Sequence, residues 1–335
     1  MLRLEYNIEG AGAFGTRGIA VRTLVTGASG FVGRALLGAL ARRGEGSIVA
    51  TDMVRQDVPH ADVEWIAGSL ADQGFLAALM AERFDRIFHL ATVAGVGSRD
   101  FDYGRATNLL ATQALLEAAR DPINPPRFVY ASSVGIFGLP LPPTIDDETL
   151  PIPTNSYGTH KLVCELLISD YSAGGLIDGI ALRLPGIVAR PKGSRTMLSA
   201  FLSDVFYAAR DGRTFQLPLA PDDGTWVMSL VRLIDNLQRA IELPRGELPA
   251  RRYWTLPALR LQMEDLLIEL AHVYGAERTA GISCAPLEEV RAMFAQVPLH
   301  ADGAERLGMR GDGDTAAFVR NVISGTPALA PEEVF

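Results

Sequence analysis

Two rhythms of apolar residues alternate along the first half of this chain. The first consists of short runs rich in β-branched residues: Val21-Arg22-Thr23-Leu24-Val25, Ser47-Ile48-Val49-Ala50-Thr51, Val63-Glu64-Trp65-Ile66, Arg86-Ile87-Phe88-His89-Leu90, Arg127-Phe128-Val129-Tyr130-Ala131 and Gly179-Ile180-Ala181-Leu182-Arg183-Leu184. Between them, apolar residues recur at helical steps, as in Phe31, Val32, Ala35, Leu36, Ala39 and Leu40. Further helices are predicted over 71–82, 102–119 and 155–171. Apolar strands alternating with helices predict a parallel sheet covered on both faces. After Leu184 the alternation breaks. Pro185 to Arg195 reads as a long loop, followed by a helix over 196–210. Short strands (225–228, 252–255) then mix with helices (230–243, 261–274, 286–294, 315–323). Such segments sit over the C-terminal edge of an open α/β sheet, where ligands bind.

The turn from the first strand to the first helix is Thr26-Gly27-Ala28-Ser29-Gly30-Phe31-Val32-Gly33. Gly27 allows a tight turn, Gly30 lets a pyrophosphate approach the amides, and Gly33 lets the helix lie close to the strand. The helix N-terminus then presents unpaired N–H groups and a positive dipole end to the phosphates. An ordinary loop is the alternative; the flanking strand and helix, and a second strand ending in Asp52, weigh against it. The fold class expected is α/β, a Rossmann-type doubly wound parallel sheet with a smaller mixed C-terminal region. Asp52 lies where a carboxylate accepts hydrogen bonds from the adenosine ribose of NAD and repels the extra phosphate of NADP. Arg55 is close by but does not replace the acid. The alternative is a strand-end Asp capping a turn.

Composition narrows the function. The formal net charge of -8 leaves no basic excess for nucleic acid. No apolar run reaches membrane-spanning length, so no membrane partner is expected. Residues 1–20 are glycine-rich and mixed in polarity, lack a signal-peptide core, and read as a leader outside the fold of a cytoplasmic protein. The two cysteines, Cys164 and Cys284, read as buried free thiols. The five histidines, His60, His89, His160, His272 and His300, show no metal-ligand spacing, so no metal is expected. His89 reads as structural and His160 as a solvated helix residue.

Tyr157 and Lys161 share one helix face, one turn apart. A free tyrosine is a poor base at neutral pH. A neighbouring ammonium and a positive nicotinamide ring would both favour phenolate, which could take a proton from an alcohol as hydride leaves its carbon. A surface Tyr beside a solvated Lys is the alternative. Ser132-Ser133 ends the fifth strand, where a hydroxyl can hold a substrate oxygen toward Tyr157; simple strand termination is the alternative. Asn108 lies mid-helix, against its propensity. It either caps a distortion or reaches a partner such as a water or the Lys161 region.

In this order Thr26-Gly27-x-x-Gly30-x-x-Gly33, Asp52, Phe88-His89-Leu90-Ala91, Asn108-Leu109-Leu110-Ala111-Thr112, Ser132-Ser133 and Tyr157-x-x-x-Lys161 resemble the extended short-chain dehydrogenase/reductases, the NAD-dependent epimerase/dehydratase family. The resemblance covers roughly residues 21 to 191. It implies NAD as cofactor and Ser133, Tyr157 and Lys161 as a catalytic trio. It also implies a cofactor surface of Gly27, Ser29, Gly30, Phe31, Val32, Gly33, Asp52, Ser69, Leu70, Leu90, Ala91, Thr92, Asn108, Tyr157, Lys161, Pro185 and Ile187. Two positions depart: Ser69 stands where the family usually has Asp, and Ala111 where Gly is common. A homodimer through the Tyr157 helix and its neighbour is implied as well. The division expected is a leader at 1–20, an NAD-binding domain at 21–184 and a substrate-binding region at 185–335, some of which could return to the sheet.

Within the family, Pro125 to Val129, Ser156 to Lys161 with Cys164 to Leu167, Ala181 to Pro185, Arg190-Pro191 and Trp226 to Asn236 are similar to members acting on sugar acids. Nucleotide-sugar members usually carry Arg-Asp where this chain has Gly224-Thr225, and a His where it has Met228. The lost diphosphate clamp argues for a small sugar acid. Arg190, Lys192 and Arg195 crowd one loop and could grip its carboxylate, against the alternative of a solvated basic loop. The expected substrate contacts are Thr92, Ser133, Tyr157, Arg190, Lys192, Arg195 and Trp226. Oxidation of a secondary alcohol is the expected reaction. A nucleotide-sugar epimerase or dehydratase with tightly held NAD, and a non-catalytic NAD-sensing module, stay open as alternatives.

Overall fold

In the strands of the main sheet, neighbouring side chains enter different cores. Leu24 packs on one side of the sheet and Val25 on the other; Phe128 and Tyr130 alternate with Val129 and Ala131 in the same way. A strand buried on both faces must be apolar throughout, which is why these segments read as continuous runs. The computed structural model describes residues 21–331 except 45, 57–62, 192–197 and 247. The expected leader, Lys192, Arg195 and His60 therefore lie outside the described residues.

The strands are β1 (Arg22–Thr26), β2 (Ser47–Asp52), β3 (Val63–Ala67), β4 (Arg86–His89), β5 (Arg127–Ser133), β6 (Asp178–Leu184), β7 (Gly186–Val188), β8 (Phe215–Leu217), β9 (Gly224–Ser229), β10 (Tyr253–Thr255), β11 (Leu259–Gln262) and β12 (Ile282–Cys284). Seven of them form one parallel sheet in the order β3-β2-β1-β4-β5-β6-β10. The strand order reverses between β1 and β4, the place where open α/β sheets bind ligands.

The helices are α1 (Phe31–Arg43), α2 (Gln73–Leu79), α3 (Phe101–Arg105), α4 (Ala111–Ala119), α5 (Ser156–Ala173), α6 (Phe201–Asp211), α7 (Leu230–Glu242), α8 (Met263–Tyr274), α9 (Ala276–Thr279), α10 (Glu288–Phe294), α11 (Asp302–Arg306) and α12 (Thr315–Ser324). Leu36, Leu37 and Leu40 of α1 share a core with Leu233, Ile234 and Leu237 of α7. The opposite face takes Leu76 of α2, Leu115 and Leu116 of α4, and Ile168 of α5.

The second half is tied back to this sheet. Arg127, buried at the start of β5, donates to Asp178 on β6 at 2.6 Å and to the carbonyls of Ala240 and Leu243 at the end of α7. A guanidinium there satisfies carbonyls that a helix end leaves open. Beyond β6 the expected loop contains a strand: β7 pairs with β9, and β9 with β11. This three-stranded sheet, with α6, α8 and α12, encloses a separate core of Phe206, Val227, Leu266 and Phe318. Four short strands, β7, β8, β11 and β12, were not expected, because three or four residues carry too little periodicity to read.

Candidate active site

One cavity of about 1000 Å³ runs across the C-terminal ends of the strands, from Asp52 and Ser69 at one end to Trp226 and Gln296 at the other. The first end is made of main chain. Gly27 has φ 67°, and a Cβ there would meet Ala91 N at 2.6 Å. A Cβ on Gly33 would lie 2.2 Å from Gly27 O. No side chain caps α1, its first turn holds no acid, and Gly30 is its N-cap. The N–H groups of Phe31, Val32 and Gly33 thus stay open to an anion. Asp52 accepts from Ser29 N at 3.0 Å and from Met53 N at 2.7 Å. Each oxygen keeps lone-pair capacity for ribose hydroxyls.

Midway along, Ser133, Tyr157 and Lys161 come together from β5 and α5. Asn155 caps α5 by accepting from Gly158 N at 2.9 Å, which starts the helix at Ser156, one residue before Tyr157. Ser133 Oγ accepts from Gly135 N at 3.0 Å and hydrogen-bonds Tyr157, while Ser132 faces inward and donates to Glu165. Burial raises the Tyr157 hydroxyl above its ordinary value, opposed by hydrogen bonds to Ser133 and Thr92 and by the charge of Arg190. Lys161 Nζ donates to Ala131 O at 2.6 Å and lies 4.6 Å from the Tyr130 ring and 5.7 Å from the Tyr157 ring. Burial pulls its pKa down to about 8, against the nearby Cys164 and Glu165. Arg190 is a side-chain cation acting on the phenol that was not expected in that role. The balance without a bound nicotinamide favours the neutral phenol.

The sequence pattern of the NAD dependent epimerase/dehydratase family matches residues 23–231. The chain belongs to this family. It is 33% identical over 315 residues to a D-erythronate dehydrogenase of Cupriavidus necator, an alignment covering 90% of this chain and 97% of the relative. A D-erythronate dehydrogenase of Haemophilus influenzae is 33% identical over 297 residues, 86% of this chain and 94% of the relative. Among solved structures, a nucleoside-diphosphate-sugar epimerase from Agrobacterium tumefaciens superposes with TM-score 0.87 at 29% identity, covering 97% of this chain and 99% of that one. This epimerase/dehydratase-family member is an NAD-dependent oxidoreductase.

The open amides of α1, the glycines that admit no Cβ and the carboxylate of Asp52 fit that cofactor. In this family member Gly27, Gly30, Phe31, Val32, Gly33, Asp52, Ser69, Leu70, Leu90, Ala91, Thr92, Ser133, Tyr157, Lys161, Pro185, Ile187, Arg190 and Trp226 all line the cavity. Ser29 and Asn108 do not. Ser29 turns its hydroxyl to Val54 O, bracing the end of β2. Asn108 sits in a wide turn, Ala106–Leu110, between α3 and α4. Its amide accepts from Val93 N (2.7 Å) and Thr92 Oγ1 (3.0 Å) and donates to Val93 O (2.8 Å). It therefore holds the turn after β4 and not the Lys161 region. His89 bridges Thr26 (2.7 Å) and Thr112 (2.8 Å), whose hydroxyl donates to Asn108 O. That network places the proton on Nε2. Burial, with Lys161 adding, depresses the His89 pKa to about 3, so the ring is a neutral strut. His160 is buried beside Phe101 and not solvated; Cys284 is only partly buried.

Several lining residues were not foreseen. Met293, Phe294 and Gln296 reach the cavity from α10 and the turn after it, with no local motif to mark them. Glu165 lies fully buried under the site, 2.9 Å from Arg183. An acid one turn after Lys161 on the apolar face of α5 was the available signal. No group of three or more His, Cys, Asp or Glu among the described residues could hold a metal ion. No helix among them is long and apolar enough to cross a membrane.

Proposed function

We propose that this enzyme oxidises a secondary alcohol of a small sugar acid, D-erythronate or a near relative, to the oxo acid. The observation that carries this reading is Arg190. Its guanidinium is half-buried at the cavity wall, 5.5 Å from the Phe31 ring, acts on Tyr157, and has no carboxylate partner among the described residues. Burial lowers its pKa, and an arginine stays protonated in proteins. A partly desolvated cation without a counter-ion is a ready partner for an anion. Two relatives across nearly the whole chain carry a sugar-acid name.

In this reading Ser133, whose Oγ already accepts from Gly135, donates its hydrogen to the substrate hydroxyl oxygen. Tyr157 takes the proton as hydride leaves the carbon. The charge of Arg190 favours the phenolate form of Tyr157, while Thr92 has already given its hydrogen to Asn108. Lys161 contributes an ammonium to the ribose side, and Arg190 orients the acid. NAD, when bound, supplies the hydride acceptor. Lys192 and Arg195 remain candidates for the same carboxylate. A homodimer through α4 and α5 is part of the proposal, since Leu110 and Leu166 are exposed there; sedimentation measures it.

The test is NADH formation across sugar acids, their uncharged polyols and nucleotide sugars. Turnover of D-erythronate well above erythritol is expected. Equal rates with erythritol, or tight binding of a UDP-sugar without net NADH, would remove the sugar-acid reading and favour an epimerase.

A further inference from the structure

We propose that Gln296 determines substrate specificity, donating a hydrogen bond from Nε2 to the hydroxyl end of the substrate, opposite the carboxylate. The inference rests on the sugar-acid reading above and adds the second point of attachment. The orientation of the amide is settled by its partners. One terminal atom accepts from Trp226 N at 2.6 Å and lies 3.2 Å from Thr225 Oγ1. A backbone N–H only donates, so that atom is Oε1. Nε2 is left without a partner among the described residues, and Gln296 lines the cavity.

The main chain of Gln296 is held from both sides. Its N–H donates to Gly224 O at 2.7 Å, and its carbonyl accepts from Arg260 Nε at 2.7 Å. Arg260 reaches it only by lying across Gly224: a Cβ at 224 would come within 2.5 Å of Arg260 Cζ. The position where nucleotide-sugar members usually keep a diphosphate-binding Arg is therefore a glycine for a local reason. The side chain that crosses it pins Gln296.

Arg190 and Gln296 bracket β7. Gly186 pairs with Val227, which sets Trp226 level with the start of β7, whereas Arg190 lies beyond its end. Trp226 also meets Phe137 edge to face at 6.5 Å, four residues past Ser133. In this inference a short acid held by Arg190 turns its far hydroxyl toward Gln296, since both side chains line the one cavity. An acid lacking that hydroxyl leaves a desolvated N–H unpaired, the most selective arrangement available to a neutral group.

The experiment compares kcat/KM for D-erythronate and for the same acid without its terminal hydroxyl, in the wild-type enzyme, in Gln296→Glu and in Gln296→Met. Glutamate keeps an oxygen for Trp226 N–H and turns the donor into a charged acceptor. Wild type should prefer the hydroxylated acid by about tenfold or more. Gln296→Glu should lose about tenfold on D-erythronate, and Gln296→Met, which pairs with no hydroxyl, should lose the preference, with KM for NAD unchanged in both. A wild-type enzyme indifferent to the hydroxyl overturns the inference even if the variant fails to fold. So does a variant that keeps both rate and preference. If wild type oxidises no sugar acid at all, it is the sugar-acid reading that fails, and this inference falls with it.

Discussion

The two ends of the cavity are built from different materials. At the cofactor end the working groups are main-chain amides at the start of α1, and the side chains are conspicuous by being missing: Gly27, Gly30 and Gly33. At the other end the main chain is used up in β7, β9 and β11, and the side chains of Arg190, Trp226 and Gln296 line the wall as the proposed recognition groups. A main-chain site is inseparable from the fold and tolerates no added atom. A side-chain site sits on the fold and is open to exchange.

Adding one atom at the first end should have the largest effect. Gly33→Ala places a Cβ 2.2 Å from Gly27 O and 2.8 Å from Ala28 Cα. We expect NAD binding to vanish, with a stability loss of about 1–3 kcal/mol, read by calorimetric titration and thermal unfolding. A variant that still binds NAD normally would break the comparison. Removing one atom in the middle comes next. Tyr157→Phe should lower kcat at least about 10²-fold while NAD affinity holds; retention of a tenth of the rate would dismiss Tyr157 as the base. At the second end, Arg190→Ala should raise KM for the acid about tenfold and leave NAD affinity alone, as expected for one lost charge-assisted bond.

The smallest effect sharpens the boundary between the ends. Lys161 titrates near pH 8 instead of 10.5 because it is buried. Between those values the unfolded chain holds a proton that the folded protein has released, so stability from this group rises with pH across the window. On the proposed role of the ammonium in holding NAD, binding should take up a proton there and weaken as pH rises above about 8. Binding enthalpies in buffers of different ionisation heat measure that proton; Lys161→Met should abolish it.

The main sheet could be read from the sequence because both of its faces are buried, so each strand is an unbroken apolar run. The glycine turn could be read because a missing side chain leaves a mark at fixed spacing. Tyr157 and Ser133 followed from their places on α5 and β5. Gln296 could not be found this way: its position depends on Arg260 crossing Gly224, a contact between residues remote in sequence. Asn108 was visible as an anomaly in a helix, but its partner, the turn at Val93, appears only once β4 and the wide turn are folded together. After Leu184 the strands β9 and β10 were legible, whereas β7, β8, β11 and β12 are too short to declare themselves.

The strand β10 has a consequence for how the polypeptide can be handled. It pairs residue for residue with β6, Tyr253 with Ala181 through Thr255 with Arg183. It thereby shields the open margin of a strand whose Ile180, Ala181 and Leu182 are wholly buried. A bare margin of that composition is a template for joining other chains. The first half made alone would carry a complete glycine turn and still be expected to self-associate, so the distant residues 253–255 act as a solubility device for the nucleotide-binding half.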